Sequence, residues 1–226
     1  MQIKRLLVIP ARSGSKRIKN KNFKKFRGKP IISYSILSAL KSKIFNKIVV
    51  STDNMKYYKF LRNFKIDVSL RSKKLSNDIT TTESVMRSVL SEYDNSMTIF
   101  NEVWSLAPCS PLINSDDLIK ASKLLKKNKK KIILPVSEYP APIEWGFKFN
   151  KYKKLIPIKK NYYKKRSQDI SKSYYDTGNF VAIPILHFKK KKIDFDSHYI
   201  GLKMPKYRSI DIDDLEDWRL AEILYK

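Results

Sequence analysis

Short β-branched runs alternate with segments of helical apolar spacing, and that alternation limits the folds open to this chain. Runs at 3–9 (IKRLLVI), 46–51 (NKIVVS), 102–106 (EVWSL) and 131–136 (KIILPV) are apolar enough to be buried on both faces. Between them, Ile31, Tyr34, Ile36, Leu37 and Leu40 recur at helical spacing after Pro30, which reads as a helix-opening proline. Residues 55–64 read as a second helix and 67–70 as a short strand. Thr80 and Glu83 have capping-box spacing ahead of a helix carrying Val85, Met86, Val89 and Leu90. Asn114 or Ser115 can cap a helix through Leu125 that ends in a basic run. Strands and helices in this order predict right-handed βαβ units and a mostly parallel sheet.

The pattern lapses over 138–170, a Pro-, Tyr- and Lys-rich stretch read as an extended excursion from the sheet. Strands are expected again at 178–184 and 201–205. An amphipathic helix is expected over 215–225, with Trp218, Leu220, Ile223 and Leu224 at packing positions. The expectation is a single α/β, Rossmann-like domain over residues 1–226, a length sufficient for one buried core.

Composition narrows the function. Hydrophobic residues are 42% of the chain, which excludes a disordered reading. Cys109 stands alone, so neither an intramolecular disulfide nor a cysteine-based zinc site is available. His187 and His198 lack metal-ligand spacing. The first apolar run is shorter than the roughly 7–15 residues of a signal-peptide core, and none approaches the ~20 that span a bilayer. The expectation is therefore a cytoplasmic protein without membrane insertion. A net charge of +27 is spread along the whole chain, with lysine runs at 126–131 and 189–192. It reads as a solvated surface that favours anionic ligands, rather than as a specific nucleic-acid interface, since no aromatic-basic RNA-binding motif is present.

The loop after the first strand carries the chemistry. It reads Pro10, Ala11, Arg12, Ser13, Gly14, Ser15, Lys16, Arg17 and continues to Lys21 and Asn22. Ligands of open α/β sheets bind at the carboxyl ends of strands. Gly14 permits close approach of a phosphate, and Ser13, Gly14 and Ser15 can present N–H groups to oxygens. Arg12, Lys16 and Lys21 can neutralise a triphosphate and its leaving pyrophosphate. Neither G-x-x-x-x-G-K-[ST] nor G-x-G-x-x-G occurs. A second feature is the acidic cluster at 211–217. Asp211 and Asp213 alternate around Ile212, so on an extended segment both carboxylates face one way and could hold Mg²⁺. The same cluster could instead cap the last helix through Asp213 or Asp214, with Glu216 and Asp217 in its first turn.

The basic loop, P-A-R-x-G-S-K-R followed by K-N, resembles the signature of the CMP-sugar synthetases, the cytidylyltransferases of nonulosonic acids and keto-deoxy-octulosonate. Further segments resemble that family in order: Ser51, Thr52 and Asp53 after the second strand; Arg71 with Asp78; the turn at 107–112; Arg166, Ser167, Gln168 and Asp169; and the stretch from Tyr175 to Phe180. The resemblance implies a nucleotidyltransferase fold and CTP as co-substrate. It implies that Arg12, Ser15, Lys16, Lys21 and Asn22, with Arg71, hold the nucleotide. It implies a metal role for Asp211 and Asp213, and a homodimer built from the excursion. Arg166 is the candidate for the sugar carboxylate, with Gln168 beside it. Sialic acid enzymes carry a glutamine at the position of Ala107; that difference, with R-S-Q-D and Y-x-D-x-G-x-F, resembles the pseudaminic acid cytidylyltransferases. N-acetylneuraminic, legionaminic and keto-deoxy-octulosonic acids are the alternative acceptors, and a basic nucleic-acid-binding protein is the rival from another class.

Overall fold

The computed structural model describes residues 2–72, 75–77, 79–194 and 199–225. Strand β1 (Arg5–Pro10) pairs in parallel with β4 (Lys47–Thr52) on one side and with β6 (Glu102–Leu106) on the other. Beyond β4 lies β5 (Asp67–Leu70), also parallel. On the far side of β6, β11 (Phe180–Pro184) runs antiparallel, followed by β7 (Ile132–Glu138) and then the parallel edge strand β12 (Tyr199–Lys203). The short β10 (Tyr174–Asp176) also pairs antiparallel with β7. Val136 pairs with Asp176 and with Lys203, so β10 and β12 flank opposite sides of β7. The expected mostly parallel sheet is present.

Alternation along β1 divides the core into two layers. Leu7 and Ile9 pack with Ile32, Ile36 and Ala39 of α1 (Ile32–Ser42) and with Leu118, Ala121 and Leu125 of α4 (Ser115–Lys127). Leu6 and Val8 pack on the other face with Val85, Met86, Val89 and Leu90 of α3 (Thr82–Tyr93). Side chains two apart share a face, which is why one four-residue apolar run serves both layers. Helix α2 (Met55–Leu61) joins β4 to β5, and the short α5 (Ile185–Phe188) follows β11. Chain order thus runs from β1 to one side of the sheet, then crosses through α3 to the other side at β6. The gap between the carboxyl ends of β1 and β6 is the switch point where ligands of such sheets bind.

A third cluster fixes the loops above that gap. Ile18, Phe26, Ile31, Cys109, Leu112 and Ile212 pack with Trp218 and Ala221 of α6 (Leu215–Leu224). Phe26 makes edge contacts with Tyr34, Trp218 and Tyr225 at 5.4–5.6 Å. The basic loop, the turn at 107–112 and the acidic segment are therefore pinned to one apolar anchor.

Several local expectations are corrected. Pro30 does not open α1; it lies in β3 (Lys29–Pro30), paired with β2 (Lys25–Phe26). Arg27 and Gly28 both have positive φ, 44° and 88°, as a two-residue hairpin of primed type requires. Helix α3 is capped by Thr81, whose hydroxyl accepts from Ser84 N, because the Thr80 hydroxyl donates to Asn77 Oδ1. Glu83 pairs with Arg87 instead of closing a capping box. Asn114 is the cap of α4, in a reciprocal box with Asp117. On α6, Trp218 and Ala221 are buried, while Leu220 and Ile223 face solvent. The excursion carries a hairpin of β8 (Phe147–Phe149) and β9 (Leu155–Pro157), both exposed. Among the described residues no helix is long and apolar enough to cross a membrane.

Candidate active site

The basic loop leaves β1 held by backbone and carboxylate contacts to the neighbouring strand end. Ala11 N donates to Ser51 O at 2.8 Å. Asp53 accepts from Ser13 N at 2.8 Å and from Ser13 Oγ at 3.2 Å, one bond to each carboxylate oxygen. Ser15 N donates to Ser13 O. The expected row of three open N–H groups is thus reduced: two of them already have protein partners. Gly14 has no positive φ, and a Cβ there would meet nothing within 4 Å, so neither backbone conformation nor protein packing demands its glycine.

Asn22, buried at 4% exposure, is a strut within the site. Its Nδ2 donates to Arg12 O at 2.8 Å, and its Oδ1 accepts from Cys109 Sγ at 3.1 Å. Burial pushes the Cys109 thiol up to about 12, so it stays protonated and donates rather than attacks. The nucleotide-type loop is in this way joined to the turn at 107–112.

A cavity of about 380 Å³ opens above the strand ends. Arg12, Ser15, Lys16, Arg17, Lys21 and Asn22 line it with Pro10, Pro108 and Asp213. Five of the residues expected to bind nucleotide therefore converge, across a cavity of small-molecule size. Lys21 is anchored, its Nζ 2.6 Å from Ile212 O and 3.6 Å from Asp213 Oδ1. Arg17 pairs with the same Asp213 oxygen at 2.8 Å. Arg17 and Asp53 were not singled out as site residues from sequence, although both stood inside the matching motifs.

The acidic segment resolves into separate tasks. Asp214, not Asp213, caps α6, accepting from Glu216 N and Asp217 N in a reciprocal box. Asp211 makes no hydrogen bond or ion pair among the described residues. Its pKa is raised, first by burial of its carboxyl and then by the neighbouring Asp213 charge, although the residue reaches solvent. Gly178, at φ +67°, would place a Cβ 3.2 Å from Asp211 Oδ2; the positive φ and the close approach both favour glycine there.

Arg71 lies at the edge of this site. Its Nη2 donates to Ser51 O at 3.0 Å, and Nε is buried without a partner among the described residues. Burial lowers its pKa, Asp53 opposes the shift and Arg12 adds to it, so these three charges share one neighbourhood. A second cavity of about 400 Å³ adjoins the first, sharing Pro10 and Pro108, and is lined further by Thr82, Ser105, Ala107, Asp176 and Asn179. Arg166 and Gln168 are not brought to either cavity. Both are exposed on the excursion, where Arg166 pairs with Asp169 at 2.9 Å. Asp78 and His198 lie outside the described residues.

A sequence profile of the cytidylyltransferase family matches residues 6–207. The chain belongs to the cytidylyltransferase family. This cytidylyltransferase is 33% identical over 225 residues to the pseudaminic acid cytidylyltransferase of Campylobacter jejuni subsp. jejuni serotype O:2, across 99% of this chain and 97% of that protein. It is 30% identical to the N-acylneuraminate cytidylyltransferase of Escherichia coli O18:K1:H7, across 98% of this chain and 52% of that longer protein. Among solved structures it is similar to a CMP:2-keto-3-deoxy-manno-octonic acid synthetase complexed with CTP, with a TM-score of 0.71, 14% identity and 98% coverage of both chains. That likeness is one of fold. The expected enzyme class, a nucleotidyltransferase, holds.

Proposed function

We propose that this cytidylyltransferase transfers CMP from CTP to the anomeric hydroxyl of a nonulosonic acid, pseudaminic acid, with release of pyrophosphate. The observation that carries the reading is the pair of adjoining cavities at the switch point: one lined by Arg12, Lys16, Arg17 and Lys21, the other lined, among the described residues, without a cation. The first suits a triphosphate and the second an acceptor. In the reaction the sugar oxygen forms a bond to the α-phosphorus as the bond to the departing pyrophosphate breaks, and the hydroxyl proton is released. Arg12 and Lys16 stabilise charge on the phosphates, and the rest of catalysis is alignment.

Ala107 lines the acceptor cavity. The position where sialic acid enzymes carry a glutamine therefore presents only a methyl group. A sugar relying on that amide would leave a polar group unpaired, at a cost of ~1–3 kcal/mol. This supports pseudaminic acid over N-acetylneuraminic acid.

Asp211 and Asp213 are the residues that would hold Mg²⁺. Among the described residues no group of three or more His, Cys, Asp or Glu is arranged around a metal, so phosphate and water oxygens would complete the set. The fit rests on Asp211, whose pKa is raised first by burial and then by the neighbouring Asp213 charge, and on the absence of any hydrogen bond to it among the described residues. Bound there, the ion would supply positive charge to the phosphates. Arg17 and Lys21 hold Asp213 in the meantime and limit its freedom.

The excursion supports a homodimer as part of this reading: Phe149, Tyr152 and Tyr163 are 70–73% exposed beside exposed Leu155 and Ile158. A second copy would bring Arg166 and Gln168 to the sugar, with Arg166 at its carboxylate, the end nearest the cationic loop. CTP as co-substrate is the ground for a cytoplasmic reading. The test is pyrophosphate release from CTP with a panel of nonulosonic acids. Turnover with pseudaminic acid is expected; efficient use of N-acetylneuraminic acid with pseudaminic acid ignored would overturn the sugar assignment.

A further inference from the structure

The acceptor cavity contains a group that no part of the reading above has used. Among the described residues lining it, Asp176 is the one ionisable group, in company with Thr82, Ser105, Asn179 and apolar side chains. One of its carboxylate oxygens, Oδ1, accepts from Gly178 N at 2.9 Å. The other has no hydrogen bond or ion pair among the described residues. Asn179 Nδ2 donates to Ser110 Oγ and its backbone carbonyl accepts from Ala107 N, while its Oδ1 is buried without a hydrogen-bond partner among the described residues and is a second, uncharged acceptor beside Asp176. The floor between Asp176 and the carboxylate pair is Gly178, in close approach to Asp211.

This arrangement sets a charge gradient across two joined cavities. The nucleotide side holds Arg12, Lys16, Arg17 and Lys21 with Asp213, a net positive lining, whereas the described residues of the acceptor side bring one carboxylate and no cation. A nonulosonic acid carries its own carboxylate on the carbon that bears the anomeric hydroxyl. Repulsion from Asp176 would turn that end toward the cationic loop, where the α-phosphate of CTP would lie, and leave the acylamino substituents at the Asp176 end. A carboxylate without a cation beside it takes N–H or O–H donors, and bonds to a charged acceptor are the strong ones. We infer that Asp176 is a specificity-determining residue that accepts a hydrogen bond from an acylamino N–H of the acceptor sugar. Burial of its carboxyl raises its pKa against the Gly178 hydrogen bond, although the residue itself is exposed to solvent at the cavity mouth.

The inference rests on the sugar reading above, so the experiment separates the two. Initial rates of pyrophosphate release are measured for the full-length wild type, Asp176→Ala and Asp176→Asn, varying CTP and pseudaminic acid separately. Both variants are expected to raise the KM for the sugar about 10–100-fold, with the KM for CTP within about twofold, since the asparagine amide would turn N–H groups toward a donor. An unchanged sugar KM in an active variant overturns the assignment while leaving the sugar reading intact. A parallel rise in both KM values with a lower melting temperature also overturns it, because Asp176 would then serve only the Gly178 turn. A wild type inactive with every nonulosonic acid overturns both readings.

Discussion

Asp213→Asn separates a chemical role for the acidic segment from a structural one. The side chain pairs with Arg17 at 2.8 Å and with Lys21 at 3.6 Å. Arg17 is 66% exposed and Asp213 40%, so solvent screens these contacts and together they contribute about 1 kcal/mol or less. The substitution keeps the volume. It also leaves the backbone bond from Asp213 N to Asp217 and the cap made by Asp214 in place. For a chain of this length, 1 kcal/mol corresponds to roughly 2–4 °C, so the melting temperature should fall by no more than about 4 °C. The loss of one of the two carboxylates proposed to hold a metal is a different order of effect. A fall in kcat of about 10²-fold or more is expected, equivalent to ~3 kcal/mol of transition-state stabilisation. The assays are pyrophosphate release at saturating CTP and Mg²⁺ and a thermal melt of the same preparation. Wild-type turnover would refute the metal assignment. Lost turnover with a melting temperature lowered by about 10 °C would refute it as well, since the segment would then be acting as structure.

Three further outcomes follow from the geometry. Arg12→Ala should lower kcat/KM by about 10²-fold, the worth of one charged phosphate contact near 3 kcal/mol; unchanged kinetics would remove the basic loop from the site. Light scattering at micromolar concentration should give a dimer, and Phe149→Asp on the exposed hairpin should shift it toward monomer; a monomeric wild type contradicts the interface. Asp94 is buried and accepts from Thr98 N, Ile99 N and Phe100 N, bonds that outweigh its desolvation and hold its pKa below the usual value. A depressed folded pKa contributes stability above the unfolded value near 4 and loses it as pH falls through the folded one. Asp94→Asn should therefore cost about 2–3 kcal/mol at pH 7, with the gap to wild type closing below about pH 4; a pH-independent gap would refute the charge-based account.

Much of the fold was legible because its signals are local. Runs such as LLVI in β1 and KIVVS in β4 are β-branched and continuous, and the chain cannot solvate them; the helices between them carry their own period. The position of the basic loop followed from the strand before it, since ligand sites of such sheets lie at strand carboxyl ends. The Arg27 and Gly28 hairpin was missed because a helix-type proline two residues on gave the stronger local signal. The Thr81 cap was missed because sequence could not say that the neighbouring hydroxyl was taken by Asn77.

The sequence by itself determined the elements, their order, the basic loop and the acidic cluster, since each is a pattern within a few residues. Only the tertiary structure decided which charges meet. Arg17 finds Asp213 across 196 positions, and Ser13 finds Asp53 across 40. It gave the helix cap to Asp214 and left Asp211 facing Gly178. It turned Asn22 inward to tie Arg12 to Cys109, and it held Arg166 away on the excursion. The physical reason is range: backbone preference and periodicity act over one or two turns, whereas a carboxylate's partner depends on which strand ends the sheet brings side by side.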